Sequence, residues 1–403
     1  MPSPKSIFIA HPSVLLTDHL THGDALTAFN FIRRLADRGH RLNVVAEHVA
    51  LRHPLPPKVT VWPIPPRRPR SPIDQIVCAR RIRATFERVH AVEPVDIIHQ
   101  LNPVALGLSC LLPEDKPPLV LGPYVPDWPP SVRLGEDANP LKQTVYLTAM
   151  RAKQLIRRQE QGGASALLLS SPAAESKLAL SPSSHPLIRY LSPGVDIDVF
   201  RAPPTPRAAT PAGATILFLA NLNVRKGILT LLEAFESVAT QLPGAELHIA
   251  GEGAASEQVR AIIAGSPHRD RMVLLGRVAP SDVPALMAAA DVFCLPSRAE
   301  PFGISVLEAM ACARPVVATG VGGMVHLVRD EGGRTVAPDD ANALAGALME
   351  VLGSPALRES MGTFNRALVE ERYGWERVID GLEAIYDEVT THRSRCGRKP
   401  ARR

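Results

Sequence analysis

Long apolar runs are missing from this 403-residue sequence: the ~18 consecutive apolar residues of a membrane span occur nowhere in it. Met1 to Leu16 carries one lysine and an apolar stretch interrupted by His11-Pro12, so no secretory leader is expected. Cysteine is scarce as well. The five residues Cys78, Cys110, Cys294, Cys312 and Cys396 are scattered and never spaced as Cys-x-x-Cys. That excludes a disulfide framework and a zinc site on paired cysteines, and it fits reduced thiols in a cytoplasmic protein. The basic stretches lack a run of interleaved aromatics, so nucleic acid is not the expected partner. No Asp-x-Asp stands at a cleft-facing strand end, so no bound metal or other cofactor is expected.

What is present is a soluble, enzyme-like composition, 45% hydrophobic, in a chain long enough for two domains of about 200 residues. The net charge of +5 hides an asymmetry: residues 1–203 carry +7, residues 204–391 carry −8, and the stretch after Thr391 adds six basic residues. Arg67, Arg68 and Arg70 lead into Arg80, Arg81 and Arg83, and a second helical pattern, Leu141 to Gln161, holds Lys142, Arg151, Lys153, Arg157 and Arg158. Such faces are either solvated or meet an anionic surface such as lipid headgroups.

Apolar periodicity alternates strand and helix throughout, which predicts an α/β chain of two doubly wound halves. Lys5–Ala10, a helix after Gly23 closed by Arg38-Gly39-His40, and Arg41–Ala46 form the opening unit. Further strands are expected at 59–62, 95–99, 119–122, 166–170 and 188–192, with a short helix over 172–180. Residues 201–213, rich in Pro, Ala and Thr, read as a linker. The expected domains are therefore 1–200 and 214–371, followed by a helix over 372–390 crossing back to the first and a disordered basic tail over 391–403.

The chemistry gathers in Glu300-Pro-Phe-Gly-Ile-Ser-Val-Leu-Glu308, after the short apolar strand 290–297. Gly303 permits close backbone approach, and a helix N-terminus aimed out of the strand's carboxyl end favours an anion. Eight residues of helix would separate the two glutamates by about 12 Å, roughly 80° out of phase. That is too far for an acid–base pair on one bond and suits an elongated ligand with hydroxyls at both ends. Asn221-Leu-Asn-Val-Arg225-Lys226-Gly227 places two cations at another strand-to-helix turn, as a diphosphate requires.

Together these strings resemble the retaining glycosyltransferases of family 4, with their Glu-x7-Glu motif and GT-B fold. The resemblance spans nearly the whole chain and is densest from Ala220 to Gly333. It implies two Rossmann-like domains facing across a cleft, a nucleotide-diphosphate sugar as donor, and a carbohydrate or lipid-linked acceptor. It further implies that Glu300 contacts the transferred sugar, Glu308 the ribose hydroxyls, and the backbone of Phe302, Gly303 and Ile304 the sugar and diphosphate. Lys226 carries over as a diphosphate ligand. Asn221 stands where the family has Arg, and Arg225 is our candidate for the missing charge. Gly251 belongs to the Gly-x-Gly turn, Arg277 and Val278 match the backbone that follows a strand and lines the nucleobase pocket, and Gly23 matches one glycine of the pair opening the first helix. His99, ending Asp96-x-x-His, would face the cleft as a helper, while a second family histidine near Tyr124 is missing. Alternative readings are a non-catalytic sugar-nucleotide-binding subunit and a hydrolase or epimerase on the same plan.

Overall fold

The computed structural model describes residues 3–10, 15–19, 23–66, 72–101, 107–127, 140–181, 183–202 and 214–396. The chain divides into two compact units, the first formed by 1–125, 138–192 and 378–403, the second by 126–137 and 193–377. Both are parallel α/β sheets of Rossmann type, the class expected from the sequence.

In chain order the first unit contains β1 (Ser6–Ile9), β2 (Leu15–Thr17), α1 (Gly23–Asp37), β3 (Arg41–Ala46), β4 (His48–Ala50), β5 (Val59–Pro63), α2 (Pro72–Val92), β6 (Ile97–Leu101), β7 (Leu119–Tyr124), α3 (Pro140–Gly162), β8 (Ala166–Leu169) and β9 (Leu187–Tyr190). The sheet order is β5-β3-β1-β6-β7-β8-β9. Its central strands are buried along their whole length, as a parallel sheet covered on both faces demands. The stretch 172–180, expected as a short helix, is a 3-10 helix over Pro172–Lys177.

One feature of this unit leaves no period in the sequence: the three-residue strands β2 and β4 pair in parallel as a separate small sheet. Asp18 fastens it, accepting the Arg52 and His53 N–H groups at 2.9 and 3.0 Å. Burial opposes the charge of Asp18. The Arg52 N–H, the His19 and His53 rings and the His53 N–H outweigh it and hold the carboxyl well below the usual range.

The second unit runs β10 (Thr215–Leu219), α4 (Ile228–Gln241), β11 (Glu246–Ala250), α5 (Ser256–Gly265), β12 (Met272–Gly276), α6 (Val283–Ala289), β13 (Val292–Leu295), α7 (Ile304–Ala311), β14 (Val316–Thr319), α8 (Met324–Leu327), β15 (Gly333–Val336), α9 (Ala341–Gly353) and α10 (Pro355–Arg372). The strand order is β12-β11-β10-β13-β14-β15. Strand order therefore reverses between β10 and β13, and in doubly wound sheets the crevice beyond the carboxyl ends at such a reversal is where ligands bind. The apolar faces of α4 and α7 close one core with the sheet, with Phe218, Phe235 and Phe293 fully buried in it. Gly194 belongs to this unit: a Cβ there would lie 2.5 Å from the Trp375 ring, and the neighbouring Val195 N–H donates to the Tyr373 carbonyl at 2.8 Å.

The last helix, α11 (Trp375–Cys396), begins in the second unit and from Val378 onward belongs to the first. Within the first unit a row of its polar side chains is fully engaged. Glu383 accepts from His40 Nε2 at 2.8 Å and from Arg38 at 2.7 Å, Asp387 pairs with Lys5 at 2.6 Å, and Glu388 with Arg189 at 2.9 Å. Because His40 Nδ1 accepts the Lys5 N–H, its Nε2 carries the proton donated to Glu383. The helix runs to Cys396, five residues beyond the Thr391 start expected for the tail. Residues 397–403 lie outside the described residues, as does the core of the expected linker, 203–213.

Candidate functional site

The turn after β10 and the loop after β13 meet at the strand-order reversal. Asn223 accepts the Lys226 N–H at 3.1 Å through its side chain, which winds residues 224–226 into a 3-10 turn. Gly227 follows at φ 74°, and a Cβ there would sit 1.7 Å from the Pro296 carbonyl. Only glycine lets the two connections pack this closely. The Lys226 ammonium then pairs with the Glu300 carboxylate, at side-chain exposures of 16 and 9%. Arg225 is half-buried on the same turn, with its guanidinium 3.4 Å from the Ala299 carbonyl, one residue before Glu300.

The Glu300 loop rests on the turn after β14. A Cβ on Gly322 would lie 1.9 Å from the Glu300 carbonyl, and the Gly323 N–H donates to the Pro301 carbonyl at 3.1 Å. Phe302 is buried, edge-on to Tyr373 at 6.3 Å between ring centroids, so only its backbone is left to meet a ligand. Gly303, at φ 94°, caps α7, whose first residue is Ile304. Glu300 is thus in the loop and not on the helix, so the helical spacing estimated for the two glutamates does not apply. The leading N–H groups of α7 have no intrahelical acceptor and carry the positive end of the helix dipole.

Glu308 lies in the second turn of α7, half-buried, and its carboxyl has no hydrogen-bond or ion-pair partner among the described residues. Burial pushes it up to about 8. A carboxyl held without a protein partner is ready for donors brought by a ligand, such as vicinal hydroxyls.

The remaining predicted residues lie on other elements. Gly251, at φ 136° after β11, is required by the Ala220 carbonyl, which a Cβ would approach to 1.9 Å. Arg277 is exposed and 3.6 Å from Glu252, at the ends of β12 and β11, and Val278 packs half-buried on the core. Gly23 is the exposed first residue of α1 in the other unit. Among the described residues no three His, Cys, Asp or Glu side chains are grouped to hold a metal.

His99 requires correction. It lies inside β6 instead of ending it, and it is fully buried. Its Nε2 is 2.9 Å from the Gly122 carbonyl, which can only accept, so that nitrogen carries the proton. Nδ1 is therefore the acceptor of the Tyr386 hydroxyl at 2.6 Å. Burial pushes the ring down to about 4. Neutral, with both nitrogens engaged inside the protein, His99 has nothing left for a substrate. Sequence reading did not find its partner Tyr386; the available signal was a tyrosine on the apolar stripe of a helix otherwise fastened by acids.

Comparison with known proteins addresses the same region. Residues 208–368 match the family described as Glycosyl transferases group 1. That match lies within the second unit and covers less than half of the chain. Over 217 residues the chain is 34% identical to a GDP-mannose-dependent monoacylated alpha-(1-6)-phosphatidylinositol monomannoside mannosyltransferase of Corynebacterium glutamicum, covering 50% of this chain and 56% of that protein. Over 245 residues it is 31% identical to the GDP-mannose-dependent alpha-(1-6)-phosphatidylinositol monomannoside mannosyltransferase of Mycobacterium tuberculosis, covering 57% and 63%. The chain thus matches over somewhat more than half the length of these relatives. Among solved structures, sucrose-phosphate synthase from Thermosynechococcus elongatus superposes with a TM-score of 0.73 at 19% identity, over 96% of this chain and 99% of that one, a likeness of fold.

Proposed function

We propose that the chain is a retaining, family 4-type glycosyltransferase. It takes a sugar from a nucleotide-diphosphate donor and places it on a lipid-linked or carbohydrate acceptor of the cell envelope, in the cytoplasm and at a membrane surface. The observation that carries this reading is the Lys226–Glu300 pair at the strand-order reversal of the second unit, with Glu308 unpartnered among the described residues in the second turn of the helix that follows.

The roles follow from charge. Lys226, Arg225 and the leading N–H groups of α7 offset the leaving diphosphate in place of a metal. A phosphate arriving at Lys226 competes with Glu300, whose carboxylate then turns to the hydroxyls of the donor sugar. Glu308 accepts the ribose hydroxyls. Arg277, Val278 and Gly251 border the base and ribose, and the backbone of Phe302, Gly303 and Ile304 lines the sugar. GDP-mannose, named for both mannosyltransferase relatives, is the first donor to try, with a phosphatidylinositol mannoside as acceptor.

The test is release of free nucleotide from GDP-mannose or UDP-glucose in the presence of acceptor, with and without a chelator, and the anomeric configuration of the product read by NMR. Turnover that needs acceptor, survives chelation and preserves the anomeric configuration supports the proposal. Free sugar or an epimer from donor alone points to a hydrolase or epimerase, and nucleotide binding without turnover to a non-catalytic subunit.

A further inference from the structure

In the first unit, two helices leave large apolar side chains in solvent: Leu147 and Leu155 on α3 are 57 and 69% exposed, and Ile73 and Ile76 at the start of α2 are 72 and 52% exposed. On α3 the exposed leucines alternate with exposed arginines. Leu147, Arg151, Leu155 and Arg158 follow one another at steps of four, four and three, which is one stripe of a helix. No carboxylate interrupts it. Residues 140–159 contain no Asp or Glu, and Glu160 is buried, where it accepts the Ser109 N–H at 3.3 Å. The two helices meet at Gly107, where a Cβ would lie 3.0 Å from Ile156 of α3 and 3.9 Å from Gln75 of α2.

We propose that this surface is where the protein docks on an anionic lipid bilayer, with Leu147, Leu155, Ile73 and Ile76 entering the headgroup–acyl boundary and Arg151 and Arg158 pairing with lipid phosphates. It deepens the reading of an enzyme acting on a lipid-linked acceptor by naming the face that meets the membrane. Leucines between arginines on one helix stripe are the chemistry of an interfacial helix: the apolar side chains supply insertion and the cations select anionic lipid. A symmetric second copy would instead bring two pairs of arginines face to face, and nucleic acid would find no stacking surface in leucine and isoleucine. Among the described residues no helix is long and apolar enough to cross a membrane. Arg67, Arg68 and Arg70, expected to share this task, lie outside the described residues.

The experiment is co-sedimentation of the full chain, without donor or acceptor, with vesicles of phosphatidylcholine alone or mixed with phosphatidylglycerol. Binding should need the anionic lipid and weaken steeply with salt. Leu147→Ser with Leu155→Ser should reduce partitioning about tenfold or more, the scale of two partly buried leucines. Arg151→Gln with Arg158→Gln should reduce it roughly 30-fold at low salt, at ~1 kcal/mol per cation. Unchanged thermal midpoints and nucleotide affinity would show that the variants fold. Wild-type protein left in the supernatant with anionic vesicles at low salt overturns the proposal. So does unaltered binding by both variants, or a concentration-dependent dimer that the leucine variant abolishes. No sugar transfer enters the readout, so this result and the test of the enzyme reading fail independently.

Discussion

The two sheets share a topology but differ in what stands where strand order reverses. In the second unit the charged groups lie beyond the strand ends: Lys226 seven residues after β10 and Glu300 five after β13, paired with each other and fixed by turns in which Gly227 and Gly322 allow backbone contact. In the first unit the corresponding central strand, β6, carries its candidate, His99, within the strand, where Tyr386 and the Gly122 carbonyl satisfy it completely. A polar side chain inside a buried parallel strand must be satisfied by protein, because leaving it unpaired costs about 1–3 kcal/mol. One in the loop beyond can be satisfied by a ligand. Position relative to the strand end therefore separates a ligand-binding group from a packing group more sharply than residue type does.

This contrast can be broken at four places. Lys226→Ala should have the largest effect, lowering kcat by about 100- to 1000-fold, the scale for removing one donor from a developing negative charge, while nucleoside affinity changes little. Measured turnover within a few-fold of wild type would remove Lys226 from the chemistry.

Glu308→Gln should weaken nucleotide binding at neutral pH by up to about tenfold, as a hydrogen bond to a neutral group contributes ~0.5–1.5 kcal/mol. The same variant has a pH signature without ligand. The Glu308 carboxyl is pushed from 4.5 up to about 8, so the folded state holds its proton longer than the unfolded chain does. Ionising it costs stability, which falls as pH rises from about 4.5 through 8. Thermal melts at alkaline pH should therefore show Glu308→Gln above wild type, with the gap closing in acid; a pH-independent gap contradicts the burial of this carboxyl.

Tyr386→Phe should destabilise the first unit by about 1 kcal/mol through the lost hydrogen bond to His99, with kcat per folded molecule unchanged. His99 is pushed from 6.5 down to about 4, so its contribution to stability is present above 6.5 and lost as pH falls through that window. A change in the pH–rate profile of Tyr386→Phe, with stability intact, would return His99 to the reaction. The smallest effect is expected for Arg225→Ala, a several-fold rise in KM for donor, because its charge supplements Lys226. Wild-type behaviour would mean that the Asn221 position is not compensated from Arg225.

Much of the fold was legible because parallel strands buried on both faces appear as uninterrupted apolar runs: β8, expected over 166–170, is Ala166–Leu169 and buried throughout. The β2–β4 sheet was not legible, since three-residue strands carry no period and their fastening by Asp18 is a tertiary contact. The end of the last helix was set short, at 390, because its final turn, to Cys396, is basic and polar and carries no apolar period. At the candidate site the Lys226 and Glu300 loops were visible from their glycines and strand ends. That they form an ion pair was not, because 74 residues separate them and only the adjacency of β10 and β13 brings them together.

The central claim, that the strand-order reversal of the second unit is built for a diphosphate, is tested most directly by titrating wild type and Lys226→Ala with a nucleoside and with its diphosphate. Guanosine and GDP come first, then the uridine pair. The account predicts that wild type prefers the diphosphate by about tenfold or more, as one charge-assisted contact provides, and that Lys226→Ala loses most of this preference while binding the nucleoside as before. Equal affinity of wild type for nucleoside and diphosphate, or a preference that survives in Lys226→Ala, would contradict it.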